Sequence, residues 1–247
     1  MAALRSLFYC FEDVLNYTFD WNKVLSGEYL DWIISGVGVT LQISAVSLFI
    51  ALLLGTAIAV MRMTKVKPLI WFSASFTEFF RNTPLLVQIF FWYFGADSLL
   101  PQFALDWLYE QDFEFCAGVI ALSVYTAAFI AEEIRAGVNS IPKNQLEASR
   151  ACGLTFVQAM RYVILPQAFR IIVPPMISQA LNLVKNSSLC MTIGVAELTY
   201  MARQIESYTF RGFEAFTIST LIYLCISLIV SFSINFYNKR YLRAVSY

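Results

Sequence analysis

The sequence predicts an all-α integral membrane protein with five transmembrane helices, with its N-terminus outside and its C-terminus in the cytoplasm. Of the 247 residues, 59% are hydrophobic and 14% are charged, whereas charged residues make up about a quarter of a soluble domain. Five long apolar stretches alternate with polar connections. Basic residues gather in alternate connections, and this asymmetry predicts the orientation of the chain.

Each apolar stretch is long enough to cross a bilayer as a helix, which takes about 20 residues. The first stretch is nearly uncharged and is closed on one side by Arg62, Lys65 and Lys67. The five spans are predicted at residues 32–61, 69–95, 115–134, 169–193 and 216–237. We expect residues 31–247 to form one bundle domain with its termini on opposite sides of the membrane.

The positive-inside rule selects the orientation. Lysine and arginine occur in the connection after the first span, in the connection between the third and fourth spans, and in the C-terminal segment. By contrast, the segment from Asp97 to Glu114 carries five acidic residues and no basic one. We therefore expect the basic connections in the cytoplasm and the acidic segment outside.

Residues 1–30 are expected to form an external or interfacial segment. They do not resemble a cleaved signal, because Glu12 and Asp13 interrupt the apolar run and no small-residue cleavage site follows. Helical spacing relates the apolar residues Leu4, Leu7, Phe8, Phe11 and Leu15. This pattern predicts a short helix on the membrane surface.

The composition excludes most catalytic chemistry. Histidine is absent from the sequence, which removes Ser-His-Asp and Cys-His catalysis and most zinc sites. No G-x-x-x-x-G-K-[ST] phosphate loop occurs, so ATP hydrolysis is not expected in this chain. The five cysteines are scattered without a C-x-x-C pair, which favours buried apolar packing over a metal site or a disulfide. We expect no catalytic residue, metal or cofactor here.

The connection at residues 140–166 predicts two short helices joined at a glycine. Proline is tolerated at a first helical position, so Pro142 is expected to begin the first helix, with Ser140 accepting hydrogen bonds from its exposed amides. Gly153 would end that helix in the left-handed conformation that other residues resist.

A second helix is expected to follow the glycine. Thr155 and Gln158 have the spacing of a capping box at its start, and Pro166 is expected to stop it. Arg150 and Arg161 lie among apolar positions, which suits a membrane-surface element that also faces a partner. The alternative is an ordinary amphipathic loop between spans. A DNA-binding helix-turn-helix fits poorly, because the net charge is zero and the flanking segments are strongly apolar.

The spacing in this connection resembles the EAA loop of permeases from ATP-binding-cassette (ABC) importers. A glycine follows the glutamate after six residues, and a proline follows that glycine after thirteen. Ser149 and Val163 depart from the commoner alanine and isoleucine, and both changes are small. The resemblance implies a cytoplasmic coupling helix that docks in a cleft of an ATPase subunit, with Glu147 as a main contact. The implied coupling residues are Glu147, Ala148, Gly153, Leu165 and Pro166.

Charges inside a span are costly and therefore mark functional candidates. A proline within a span frees backbone groups, which is tolerated where they line a cavity or meet other helices, and it exposes helix ends that can hold a carboxylate. The alternative to a role in a cavity is that Glu78 and Arg81, which lie one turn apart, neutralise each other. The two interpretations are compatible. The polar candidates in the second span are Glu78, Arg81, Asn82, Thr83 and Pro84.

The fourth span has a polar face. Arg81 and Lys185 are both predicted to lie about 20 Å above the cytoplasmic edge at 1.5 Å per helical residue, so together they could bind an anionic group. Packing of polar side chains between helices is the alternative, and it is slightly favoured for Gln179 and Asn182. The candidates on this face are Gln179, Asn182, Lys185, Asn186, Ser187 and Ser188.

Several motifs extend the resemblance over about residues 36–198. Together they are similar to the polar amino acid permeases of ABC importers, and most similar to glutamate/aspartate import permeases, although glutamine, arginine and histidine systems share them. The motifs are Gly38-x-Thr40-Leu41, the run from Glu78 to Gln88, Glu132-x-x-Arg135-Ala136-Gly137, Leu165-Pro166-Gln167-Ala168 and the run from Asn182 to Leu189.

The resemblance implies a type I ABC importer-like fold in the bacterial cytoplasmic (inner) membrane. It implies a second, identical or homologous permease, two cytoplasmic ATPase subunits that bind ATP and Mg, and an external solute-binding protein that delivers the amino acid. An ion-coupled secondary transporter and a non-transporting scaffold are the alternatives, and neither needs a docking loop. The sequence leaves open which amino acid is carried and which permease binds it.

Overall fold

The computed structural model describes residues 18–99 and 101–237. The surface helix predicted near the N-terminus and the basic C-terminal residues lie outside these ranges. Eleven α-helices occur in the described parts, with a π-helical turn at Met160–Ile164 and a 3-10 helix at Ser187–Ile193. The α-helices are α1 Trp21–Val24, α2 Glu28–Met63, α3 Lys67–Asn82, α4 Leu85–Leu99, α5 Gln102–Glu110, α6 Phe113–Asn139, α7 Lys143–Ala151, α8 Phe156–Ala159, α9 Leu165–Asn186, α10 Leu198–Thr209 and α11 Gly212–Tyr237.

Four helical segments in the described chain are long and apolar enough to cross a membrane. They are Glu28–Met63, Phe113–Asn139, Phe156–Ile193 and Gly212–Phe232. They correspond to the first, third, fourth and fifth predicted spans. The predicted all-α membrane fold is therefore confirmed.

The second predicted span, 69–95, is not a single helix, and this part of the prediction needs correction. Helix α3 ends at Asn82 and α4 begins at Leu85. Between them Thr83 is extended, with φ −106° and ψ 141°. The residue before a proline is disfavoured in the helical region, so Pro84 explains the interruption.

The prediction that Pro166 ends a helix is wrong. Leu165 donates its N–H to the Met160 carbonyl across a π-helical turn, and α9 then continues to Asn186. Pro166 therefore falls in the first turn of α9, where a missing N–H is tolerated. The helical path runs without interruption from Phe156 to Ile193.

Helix α6 occupies the centre of the bundle and packs against α2, α3, α4 and α9. Its contact with α2 depends on close approach, because a Cβ added at Gly55 would lie 2.6 Å from the Ile130 Cγ2 atom. The main core joins α2, α4, α6 and the 3-10 helix through buried side chains that include Ile43, Leu85, Ile89, Leu122 and Ile193.

Two helices lie where the sequence predicted only connections. Helix α5 falls within the acidic segment 97–114, and α10 follows the fourth span. Helix α10 is amphipathic and buries Leu198, Ala202 and Ile205 against α2 and α11. These contacts form a second apolar core that also holds Val24 of α1.

Candidate functional site

The coupling-loop candidate begins with α7, which follows Pro142 as its N-terminal cap. Ser140 does not cap this helix, so that prediction is wrong. It ends α6 instead, since its N–H donates to the Ala136 carbonyl and its Oγ donates to the Gly137 carbonyl at 2.7 Å. The hydroxyl is used by the preceding helix because Ser140 itself keeps a right-handed helical conformation.

Gly153 ends the turn after α7 with φ +86°, which confirms the predicted left-handed conformation. Its N–H donates to the Arg150 carbonyl at 3.0 Å, and the Leu154 N–H donates to the Ser149 carbonyl at 3.2 Å. A Cβ added at Gly153 would have no neighbouring atom within 4 Å. Glycine is favoured here by its backbone angle alone, not by crowding.

The predicted capping box at the start of α8 is confirmed. The Gln158 N–H donates to Thr155 Oγ1 at 3.3 Å, and the Thr155 N–H donates to Gln158 Oε1 at 2.8 Å. Helix α8 passes directly into the π-helical turn and then into α9. The loop is therefore joined to a membrane span without a flexible linker.

The predicted coupling residues are accessible on a loop surface of mixed polarity. Glu147 and Ala148 are exposed, whereas Ser149 is buried and its Oγ donates to the Leu146 carbonyl at 2.7 Å. Leu165 is 46% exposed, and Pro166 is also exposed. Because basic and polar side chains are exposed on the same loop, it offers a protein partner charged as well as apolar groups; these are Lys143, Gln145, Arg150 and Arg161.

The break between α3 and α4 is held by side-chain hydrogen bonds. Asn82 Nδ2 donates to the Glu78 carbonyl at 2.7 Å and to Glu78 Oε2 at 3.0 Å. Thr83 Oγ1 donates to the Phe79 carbonyl at 2.9 Å, which satisfies a backbone group that the break would leave free.

Arg81 does not form the ion pair with Glu78 that one interpretation of the sequence required. The described residues contain no such pair, and the Arg81 guanidinium instead lies 5.3 Å from the centre of the Phe129 ring on α6. This contact is a cation–π interaction. Glu78, Arg81 and Asn82 are all exposed, and Thr83 is half-buried.

The polar residues of α9 divide into two groups. Ser187 Oγ donates to the Val184 carbonyl at 2.8 Å, and Ser188 Oγ donates to the Lys185 carbonyl at 2.7 Å. Both hydroxyls therefore bond to backbone carbonyls at the end of α9, where the 3-10 helix begins. The remaining side chains make no hydrogen bond or ion pair within the described residues. They are the exposed Asn182 and Lys185 and the half-buried Gln179 and Asn186.

Helices α3 and α9, which carry the two polar segments, both pack against the central helix α6. Lys185 is exposed and forms no salt bridge within 18–99 and 101–237, whereas the Arg81 guanidinium lies over the Phe129 ring and interacts electrostatically with Glu132.

Comparison with known proteins identifies the family of this chain. The family described as "Binding-protein-dependent transport system inner membrane component" matches residues 31–243. The chain belongs to this family. A probable glutamine ABC transporter permease, GlnM of Bacillus subtilis (strain 168), is 44% identical over 201 residues, which cover 81% of this chain and 89% of GlnM.

Other similar proteins lead to the same family. The glutamate/aspartate import permease GltJ of Escherichia coli (strain K12) is 38% identical over 207 residues, covering 82% of this chain and 84% of GltJ. A crystal structure of an amino acid ABC transporter with histidines superposes with a TM-score of 0.81 at 35% identity, covering 91% of this chain and 100% of that one. This chain is therefore an inner-membrane component with the permease fold.

Glu197 is a buried residue of this inner-membrane component that the sequence analysis missed. It caps α10, with Oε1 accepting from the Tyr200 N–H at 2.8 Å and Oε2 accepting from the Thr199 N–H at 3.0 Å and from the Tyr223 hydroxyl at 2.7 Å. Burial raises the pKa of the Glu197 carboxyl, and these hydrogen bonds oppose the rise. The available signal was weak, because Glu197 is one of three glutamates between the fourth and fifth predicted spans, with Glu206 and Glu214.

The same carboxylate lies beside a contact between α10 and α2. The Leu198 N–H donates to Thr40 Oγ1 at 3.1 Å. Thr40 belongs to the motif Gly38-x-Thr40-Leu41, so the structure gives that threonine a role in attaching α10 to the first span.

Gln88 is a second residue that was missed as an individual site. Its side chain is 5% exposed, and Nε2 donates to the Phe80 carbonyl at 2.9 Å and to Thr83 Oγ1 at 2.8 Å. Gln88 therefore holds the broken span together from within α4. A single amide inside an apolar run was the signal.

Proposed function

We propose that this chain is the transmembrane permease subunit of an ATP-driven importer for polar amino acids. The observation that carries the proposal is the uninterrupted helical path from Phe156 to Ile193. It begins after the turn that follows the Glu147 helix and reaches the polar face that contains Lys185. A displacement of the loop by a partner would therefore be transmitted along the path to that face.

The transport step follows from this connection. ATP-driven closure of the partner ATPase subunits moves the α7–α8 loop, reorients the spans and carries one amino acid inward. The loop must bind the ATPase differently in the two states, because a contact of equal strength in both states would shift no equilibrium. Family membership favours this mechanism over the ion-coupled and scaffold alternatives.

The proposed partners follow from the family and from the similar proteins. A second permease, identical or homologous, completes the pathway, and two cytoplasmic ATPase subunits bind ATP and Mg. An external solute-binding protein supplies the amino acid. This chain contributes no hydrolytic residue, in agreement with the missing phosphate loop and the missing histidine.

Glutamate and aspartate are the proposed substrates. Each carries two carboxylates at neutral pH, and the chain offers two exposed cations that form no salt bridge among the described residues, Arg81 and Lys185. The name of GltJ supports this choice, whereas the name of the more identical GlnM supports glutamine. Glutamine, arginine and histidine are the alternative substrates.

The coupling role of the loop is tested with Glu147→Ala in the assembled complex, reconstituted in vesicles. We expect uptake to fall at least tenfold while ATP hydrolysis persists and the complex keeps its thermal stability. Gln145→Ala is the matched control, because Gln145 is also exposed on α7 but lies outside the motif. Full coupled uptake by the Glu147 variant would contradict the proposal.

The substrate is tested by loading the binding protein with one polar amino acid at a time and measuring stimulation of ATP hydrolysis. Glutamate and aspartate should stimulate more than glutamine, and Arg81→Gln and Lys185→Gln should reduce that difference. Stimulation by glutamine alone would mean that glutamine, not glutamate or aspartate, is the substrate. That result would not affect the proposed coupling role of the loop.

A further inference from the structure

A basic cavity lies where α2 and α6 end beside the coupling loop. It has a volume of about 380 Å³ and is lined by the ends of both helices and by α7, α8 and the π-helical turn. Its charged lining residues are Arg62, Arg135 and Lys143, and no acidic residue lines it among those described. The cavity therefore suits an anion.

The three cations of the cavity exceed the acidic charge beside it. Arg135 donates through Nε to Glu132 Oε2 at 2.9 Å and forms a salt bridge with it. Arg62 interacts electrostatically with the same carboxylate, and its Nη1 donates to the Ile70 carbonyl at 3.5 Å. Lys143 is exposed and has no ion-pair partner within the described residues. Three cations and one carboxylate leave a net charge of two.

The predicted spans place this cavity at the depth of phospholipid head groups on the cytoplasmic side. Arg62 directly follows the first predicted span, 32–61, and Arg135 directly follows the third, 115–134. Both cations are therefore at the boundary where the apolar spans end. Basic pockets between helices at this boundary are suited to anionic lipid head groups.

An apolar cavity of about 620 Å³ borders the same helices farther into the membrane. It is lined on α2 by a stripe of Leu48, Leu52 and Thr56, which recur every four residues. Met63 of the basic cavity lies seven residues beyond Thr56 on the same helix. On α6 the apolar cavity is lined by Ile134, one turn from Val138 of the basic cavity. At 1.5 Å per residue, Leu48 and Met63 lie about 22 Å apart along α2.

We propose that these two cavities together bind one anionic phospholipid of the cytoplasmic leaflet. Its phosphate lies between Arg62 and Lys143, and an acyl chain extends along the α2 stripe. A carboxylate of the ATPase could match the charge, but it would leave the apolar cavity empty, so the pair of cavities favours a lipid. Because Lys143 belongs to α7, the bound lipid contacts the coupling loop directly.

The test uses the full-length chain purified with phosphatidylglycerol and phosphatidylcholine in equal amounts. Lipid that survives detergent washing is identified by native mass spectrometry. We expect wild type to retain phosphatidylglycerol about 25-fold over phosphatidylcholine, since each basic residue near the head groups contributes about a fivefold preference. The double variant Arg62→Gln, Lys143→Gln should reduce the ratio to near one.

The matched control is the double variant Lys65→Gln, Lys67→Gln, which removes the same charge from exposed positions that line neither cavity. It should keep the preference, and thermal unfolding should show that both double variants remain folded. Equal loss in both double variants would mean general surface attraction and would overturn the proposal.

Two further results would also overturn it. Displacement of phosphatidylglycerol by millimolar inorganic phosphate would assign the basic cavity to a free anion. Loss of the preference for phosphatidylglycerol when the ATPase subunits are bound would show that the basic cavity binds that partner instead. Neither measurement depends on transport, so the lipid site and the importer role are tested separately.

Discussion

The turn at Gly153 allows a graded test of the coupling loop. A Cβ atom there meets no other atom of this chain within 4 Å, so within the chain the effect of alanine comes from φ +86°. Gly153→Ala should cost about 1–2 kcal/mol of left-handed strain. At 1.4 kcal/mol per factor of ten, this shifts the turn toward another geometry by about 5- to 30-fold. Asparagine should cost less and valine more, since asparagine tolerates this conformation and β-branched residues do not.

The assay compares substrate uptake with ATP hydrolysis in reconstituted complexes. Uptake per ATP should decrease in the order wild type, Gly153→Asn, Gly153→Ala, Gly153→Val. Gly38→Ala is the control, because Gly38 lies within α2 with open space around it and alanine favours a helix. Wild-type coupling in Gly153→Val, or equal loss in the asparagine and valine variants, would refute the reasoning.

Three further predictions concern stability. Thr155→Ala should lower stability by about 1 kcal/mol through loss of the capping box, measured by thermal unfolding. Gly55→Leu should lower the stability by about 1–3 kcal/mol, because its Cβ would lie 2.6 Å from Ile130 Cγ2. An unchanged unfolding temperature would contradict that close contact. The raised pKa of Glu197 means that the folded state binds this proton more tightly than the unfolded state. The free energy of unfolding should therefore fall as pH rises from about 4, where the carboxyl of the unfolded chain ionises, to the raised pKa of the folded state. Glu197→Gln should make the free energy of unfolding less dependent on pH in this range.

The membrane spans could be predicted from the sequence because their signal is local. Long uncharged stretches specify helices in a bilayer wherever they occur, and four of the described helices match such stretches. The left-handed glycine and the capping box were predicted for the same reason, since Gly153 and the Thr155–Gln158 pair act within a few residues.

The remaining features depend on contacts that are distant in sequence. Helix α10 is stabilised by burial against α2 and α11, which no window of its own residues reports. The effect of a proline also depends on its surroundings. Pro84 interrupts a span whose free carbonyls are satisfied by Thr83 and Gln88, whereas Pro166 follows a π-helical turn and interrupts nothing.

Sequence reasoning gave the candidate site its residues but not their individual roles. Ser187 and Ser188 were grouped with Lys185 on one polar face, yet both hydroxyls bond to carbonyls of α9. Glu197 was missed because its importance comes from Tyr223, which is 26 residues away in the chain.

The π-helical turn at Met160–Ile164 has a mechanical consequence. It lies between the loop surface and the membrane segment, and a π-helical turn is a site where a helix can bend. Pro174 and Pro175 inside α9 form a second such site, nearer to Lys185. Lys185 lies about 32 Å farther along the same helix. A tilt of about 5° at this turn would displace it by about 3 Å, which is the length of one hydrogen bond. An angular change too small to separate the packed helices would thus be enough to make or break a hydrogen bond between Lys185 and the proposed substrate.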